Sequence, residues 1–210
     1  MSRERVLGNV RRALGRAPGQ AVAPLPEPRL RIAPTPLGER LRVMRTAIER
    51  LGGKFYEAAS PQDACRYVAE RLAGAEAVAS NAPLLAECGI TALPNVRAGW
   101  TDPADLREAC ARAPFGITCA DFALADTGTV VLLTSREEFR LPSLLPPCHL
   151  AVIPRERILS GLDELLAREP LPVESRSAMV LITGPSRTGD IEQILVRGVH
   201  GPGEIHLIVV

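Results

Sequence analysis

Met179-Val180-Leu181-Ile182-Thr183-Gly184-Pro185-Ser186-Arg187-Thr188-Gly189-Asp190-Ile191-Glu192-Gln193-Ile194-Leu195-Val196-Arg197-Gly198-Val199-His200-Gly201-Pro202-Gly203-Glu204-Ile205-His206-Leu207-Ile208-Val209-Val210 is the stretch that decides the fold. An apolar run stops at Gly184-Pro185, capping residues follow (Ser186, Thr188, Asp190), and a short helical pattern over 190–197 leads to a Gly/His/Gly/Pro turn and a second apolar run. Read physically, this is strand, loop, helix, loop, strand. Ligands of open α/β sheets bind in the loops that leave the carboxyl ends of strands. A helix start in such a loop offers unpaired N–H groups and partial positive charge to an anion. Arg187 adds a fork of donors suited to carboxylate or phosphate. An ordinary βαβ turn with good caps explains the same residues equally well.

The alternation continues upstream. Leu37–Leu51 is expected to be helical, with Leu41, Met44, Ile48 and Leu51 at helical spacing and Gly52-Gly53 as the stop. Phe55–Ala58 reads as a strand, and Ser60-Pro61 opens a helix whose Ala64, Val68 and Leu72 face inward. Ala75–Ser80 is a strand, with Asn81 placed to cap a helix near Pro83–Cys88. Thr101 or Asp102 starts a helix running to Ala113. Strands are expected at Phe115–Thr118, Thr129–Thr134, His149–Ile153, Ala178–Thr183 and Ile205–Val210, a helix at Ser160–Ala167, and helical or irregular chain at Asp121–Ala125. Short apolar strands alternating with helices predict an α/β fold, its mostly parallel sheet sandwiched by helices.

The 210 residues suffice for one domain with a full core, and 46% apolar with 23% charged residues is globular composition. Aromatics at 3% argue against base-stacking recognition of nucleic acid. The net charge of +1 hides an asymmetry. Residues 1–50 hold eleven arginines against four glutamates, while the rest holds 14 basic and 20 acidic side chains. Arg3–Leu14 reads as an amphipathic helix, and six prolines at 18, 24, 26, 28, 34 and 36 make a linker or strap. Residues 1–36 thus form a basic leader on an acidic body. It can dock on that body, on an acidic partner, on nucleic acid or on a second copy, with docking on its own body the preferred reading, and a homo-oligomer also fits.

Five cysteines (65, 88, 110, 119, 148) lack C-x-x-C spacing, and no secretory signal or membrane span is read, so a reduced, cytoplasmic protein is expected. No iron–sulfur or other metal-binding spacing is seen, so no intrinsic cofactor is expected. Phosphate-loop, dinucleotide-binding, nucleophile-elbow and zincin motifs are absent. Cys148-His149 reads as a buried strand start, and His206 as packed.

Three polar loops remain. Asp126-Thr127-Gly128-Thr129 offers a carboxylate, hydroxyls and flexible backbone. Gly184 to Asp190 offers Ser186, Arg187, Thr188 and free N–H groups. Gly198-Val199-His200-Gly201-Pro202 offers an imidazole. If they converge, Asp126 or His200 is the candidate general base, and Thr127, Gly128, Thr129, Gly184, Ser186, Arg187, Thr188, Asp190, Gly198 and Gly201 form an anion site. Turn-capping for Asp126 and a structural hydrogen bond for His200 stand as alternatives.

Ala125-Asp126-Thr127-Gly128-Thr129-Val130-Val131-Leu132, Leu144-Leu145-Pro146-Pro147-Cys148-His149-Leu150, Gly184 to Glu192 and Gly198 to Pro202 occur in an order and spacing that resembles the LUD-domain family of lactate-utilization C proteins, over about residues 37–210. Gly189 departs from the alanine usual there. The resemblance implies a fold similar to the ribose-5-phosphate isomerase, glucosamine-6-phosphate isomerase and CoA-transferase group. It also implies a part in oxidising L-lactate to pyruvate beside partner proteins that carry the iron–sulfur clusters, this chain being cluster-free. The expected ligand is a small carboxylate or a partner. A stand-alone isomerase or transferase acting on a sugar phosphate or CoA ester, and a structural adaptor, are the alternatives.

Overall fold

The computed structural model describes residues 2–17, 19–21, 33, 35–170, 176–188 and 196–210. Its helices are α1 (Arg3–Ala13), α2 (Leu37–Arg50), α3 (Pro61–Leu72), α4 (Pro83–Glu87), α5 (Pro103–Arg112) and α6 (Leu162–Arg168). Its strands are β1 (Lys54–Glu57), β2 (Ala77–Ala79), β3 (Val96–Arg97), β4 (Phe115–Cys119), β5 (Phe122–Leu124), β6 (Thr129–Leu133), β7 (Cys148–Ile153), β8 (Ile158–Leu159), β9 (Met179–Thr183), β10 (Arg187–Thr188), β11 (Val196–Arg197) and β12 (Glu204–Val209).

Six strands form a parallel sheet in the order β1-β12-β7-β4-β2-β3. The continuous apolar runs of β7 and β12 are buried on both faces, as parallel strands require. Caps set the helices as their residue types demand. The Ser60 hydroxyl accepts from Asp63 N with Pro61 at the first turn of α3, and the Asp102 carboxylate accepts from Ala104 N at the start of α5. α3 and α4 cover one face through Ala64, Val68, Leu72 and Leu85. α5 packs on the opposite face against Val78.

That opposite face differs from the expected helical cover. Much of it is covered by α2 and by a second, four-stranded sheet in the order β8-β5-β6-β9, so Val130, Leu132, Val180 and Ile182 meet Ala151, Ile153, Ile205 and Leu207 in one core. Three expectations change with it. Asp121–Ala125 contains strand β5, whose three residues are too few to display a period. β9 is antiparallel to β6, pairing Thr129 with Thr183 and Leu133 with Met179, and does not begin a parallel βαβ unit. The helix expected over 190–197 is contradicted at its end, where Val196 and Arg197 pair antiparallel with Thr188 and Arg187; residues 189–195 lie outside the described residues.

Asn81 does not cap α4, which starts from Ala82 without a side-chain cap. Its Oδ1 accepts from Gly99 N (2.7 Å) and Trp100 N (3.0 Å), and its Nδ2 donates to Trp100 O (2.8 Å), pinning the loop over β2. α1 is the expected amphipathic helix and buries none of its residues. Of the Pro-rich strap, residues 18, 22–32 and 34 are outside the described residues; near its end Thr35 N donates to Ser160 Oγ. No helix among the described residues is long and apolar enough to cross a membrane.

Candidate functional site

The first and second polar loops meet the last turn of α2, and the third is tied to the second. Gly128, at φ +69°, lies so close that a Cβ there would sit 2.8 Å from Ile48 N and 2.9 Å from Ala47 C. Gly184, at φ +79°, presses in the same way on Leu51 Cβ. Arg187 Nη2 donates to Leu51 O, the carbonyl just past the helix end. The glycines therefore serve close approach, of loop to helix rather than of backbone to ligand.

Hydrogen bonds tie the loops together. Thr127 Oγ1 and Thr129 Oγ1 are 2.8 Å apart, and Thr129 Oγ1 is 2.8 Å from Thr183 Oγ1, so a hydroxyl ladder joins the first loop to the strand that enters the second. Ser186 N donates to Pro202 O, Gly198 N donates to Ser186 O, and His200 N donates to Ser186 Oγ, joining the second loop to the third. Thr188 pairs with Val196 in the β10–β11 ladder. Asp190 lies outside the described residues.

The chemistry at this junction differs from the expected helix start. Among the described residues no helix begins at Ser186, and the helix end that the loops meet is a carboxyl end, bearing partial negative charge. Arg187 is spent in part on capping it. Asp126 is exposed, accepts from Thr127 Oγ1, and does not line the cleft described next. His200 is exposed on an adjoining hollow with Leu145, Pro147 and Arg197. The two hollows share Leu144 and Gly201.

The cleft has a volume of about 350 Å³ and opens between the two sheets at the amino-terminal edge of the parallel one. Thr183, Gly184, Pro185, Ser186 and Arg187 line one side, and Leu144, His149, Pro202 and Ile205 the other. His149 is fully buried. Its Nε2 lies 2.8 Å from Thr118 Oγ1, while its Nδ1 has no partner. Burial, with His206 as a second cause, pushes its pKa down to about 3, so the ring is neutral and its tautomer is open to selection by what binds. A buried polar atom without a partner, on a residue that lines a cavity, is a group whose unmet hydrogen bond calls for an explanation. Cys148 and His149 point to opposite faces of β7, which rules out a dyad.

At the other edge of the sheet, β2 and β4 are neighbours whose outgoing connections depart in opposite directions, the position where open sheets form a crevice. Glu138 fills it. Its Oε2 accepts from Ser80 Oγ (2.8 Å) and Cys119 N (2.9 Å), and its Oε1 is buried without a partner. Burial pushes its pKa up to about 8 against the opposing pull of those two donors. The polar string Ser135-Arg136-Glu137-Glu138 reads as a solvated loop, and nothing in it marks Glu138 as buried.

A family model described as the LUD domain matches residues 41–210. The chain is 41% identical to lactate utilization protein C of Anoxybacillus flavithermus over 106 residues, covering 49% of this chain and 46% of that protein. It is 40% identical to the protein of that name from Halalkalibacterium halodurans over 114 residues, 52% of this chain and 50% of the relative. With the one from Exiguobacterium it shares 33% over 161 residues, 73% and 69% of the two. The match thus spans about half the length of the first two relatives. A crystal structure of a DUF162 family protein from Deinococcus radiodurans superposes with a TM-score of 0.65 at 22% identity, over 84% of this chain and 99% of that one, which is a likeness of fold.

Proposed function

The chain belongs to the LUD-domain family, and from that premise we propose that it is a cluster-free component of an L-lactate-utilization system. In this reading L-lactate is oxidised to pyruvate, iron–sulfur clusters sit on partner proteins, and this chain handles the small acid. The names of its relatives support the pathway.

The observation that carries the ligand reading is that His149, whose buried Nδ1 has no partner, lines the cleft together with Ser186 and Arg187. A 2-hydroxy acid offers groups of both kinds that this wall lacks. Its carboxylate suits the Arg187 guanidinium and the Ser186 hydroxyl, and its hydroxyl suits the neutral imidazole. The apolar Leu144, Ile182 and Ile205 offer a short alkyl group an apolar surface. Asp126, which lies outside the cleft, and His200, on the adjoining hollow, have no contact with the acid in this reading. Thr127, Gly128, Thr129, Gly198 and Gly201 hold the loops in place.

The test is calorimetric titration of L-lactate and of pyruvate into the wild type, Arg187→Ala and His149→Asn. Arg187→Ala is expected to weaken binding by about tenfold or more, since a hydrogen bond to a charged group is worth about 1.5–3 kcal/mol, and His149→Asn by several-fold, a neutral hydrogen bond being worth about 1 kcal/mol. Equal affinities, or no binding to any of the three, remove the ligand from the proposal. Deletion of the gene from its host should abolish growth on L-lactate. Turnover of a sugar phosphate or CoA ester by the purified chain alone would replace the whole reading.

A further inference from the structure

On the opposite face of the same strands, independently of the cleft, we propose that Cys148, Glu204 and His206 form a binding site for a divalent metal ion of the zinc type. The register of the parallel pair β7–β12 sets Glu204 directly beside Cys148, and His206 follows two residues on, on the same face. One thiol, one carboxylate oxygen and one imidazole nitrogen thereby lie within 4.8 Å of one another. Thiolate, imidazole and carboxylate are the ligand types zinc takes, and three protein ligands with a fourth position open is the arrangement of its reactive sites. Tetrahedral ligand atoms about zinc sit roughly 3.5 Å apart, so small side-chain rotations close the set.

The surroundings fit a metal better than they fit the alternatives. Cys148 and His206 are buried, at 7% and 3% exposure, while the Glu204 side chain is 54% exposed and gives an ion its way in. His206 Nε2 faces Glu204 Oε1 at 2.8 Å, and its Nδ1 faces the Tyr67 hydroxyl, also at 2.8 Å. Tyr67 is itself fixed by stacking on Tyr56, centroids 4.0 Å apart. A metal-bound imidazole almost always donates its other N–H to such a held acceptor, which sets the tautomer and the ring plane. Lys54 on β1 and Arg71, whose guanidinium lies over Tyr67, bring positive charge nearby. Two anionic ligands cancel the dication, so these cations meet a neutral site. A Cys–His–Glu hydrolytic triad is the competing reading of the same residues. It fails because both ring nitrogens of His206 already face other groups, leaving none to draw a proton from a thiol that is itself covered.

The test uses the full chain freed of metal with a chelator and titrated with Co²⁺, then Zn²⁺. The expected result is one Co²⁺ per chain, with a thiolate-to-cobalt charge-transfer band that Zn²⁺ displaces and Cys148→Ser abolishes. Cys110→Ser and Cys119→Ser should retain the band. Glu204→Gln should weaken binding by tenfold or more, and Tyr67→Phe, which leaves all three ligands in place, by about tenfold. Absence of the band in the wild type, or its persistence in Cys148→Ser, overturns the site. Should Cys148→Ser fail to fold, the exposed Glu204→Gln decides, and unchanged affinity there overturns the site too.

Discussion

Replacing Glu138 by glutamine should make the protein more stable at neutral pH, and the gain should vanish in acid. The Glu138 carboxyl titrates near 4.5 in an unfolded chain and is pushed up to about 8 by burial in the fold. Its folded-state pKa lies above its unfolded value, so the folded state binds the extra proton. The stability the group contributes is therefore fully present below about 4.5 and is lost as pH rises through about 8. Each unit of that interval is worth about 1.36 kcal/mol, so by pH 7 the wild type has given up roughly 3 kcal/mol. Glutamine mimics the protonated form. Its carbonyl oxygen can accept from Ser80 Oγ and Cys119 N as Oε2 does, and its amide carries no charge to desolvate. Urea unfolding of both proteins from pH 4.5 to 8 measures the difference. The two midpoints should lie close together at pH 4.5 and diverge steadily above it, with Glu138→Gln the higher. Curves that run parallel across that range would refute the reasoning, because a carboxyl with an ordinary pKa in the fold gives no slope.

The same linkage with opposite sign applies to His149. Its pKa is pushed from 6.5 down to about 3, so the stability it contributes is present above 6.5 and lost as pH falls through about 3. That loss is roughly 2 kcal/mol by pH 5, and His149→Asn should flatten this part of the acid limb in urea melts. Gly128→Ala puts a Cβ at 2.8 Å from Ile48 N on a residue held at φ +69°, and should cost about 2–5 kcal/mol in thermal unfolding. Asn81→Ala removes three hydrogen bonds from the loop that seats Trp100. It should cost about 1–3 kcal/mol and shift the fluorescence of this single tryptophan to the red. An unshifted spectrum would show that the loop holds without Asn81.

The sequence makes α3 and α5 legible because caps, prolines and apolar spacing agree there, and α2 through its apolar spacing and the Gly52-Gly53 stop. It misreads β9 for a physical reason. Leu181 is 45% exposed although its neighbours face the core, so an open face is written in the same apolar letters as a doubly covered one. The direction of a strand leaves no mark in such a run, and a parallel βαβ unit and an antiparallel edge look alike. The meeting of the three loops is legible, through Gly128, Gly184 and the Ser186 and His200 segments. What they meet is not, because a glycine required by a helix end and one required by a ligand are the same residue. His149 carries a usable signal, a polar residue inside an otherwise apolar strand. Glu138 carries none, since its burial comes from how residues 135–140 fold over the ends of β2 and β4.

The sign of the field at the cleft's rim decides whether an acid can be its ligand. The carboxyl end of α2 contributes about half a negative charge, which taken alone would repel a carboxylate. Arg187 and Arg197 both reach the Gly52 turn that ends this helix, with guanidinium atoms 3.2 and 3.5 Å from where a Cβ would stand, and two full positive charges outweigh the half negative one. The rim is therefore net positive, with about two thirds of the excess lost when either arginine is removed, and each must hold the helix end as well as draw the anion. It follows that Arg197→Gln should weaken L-lactate binding by about tenfold at low salt, even though Arg197 belongs to the neighbouring hollow. Raising the ionic strength should narrow that gap. Lactamide, the same shape without the charge, should bind both proteins equally and weakly. If lactamide binds the wild type as tightly as L-lactate does, the cleft does not read the carboxylate, and the arginines serve the helix end alone.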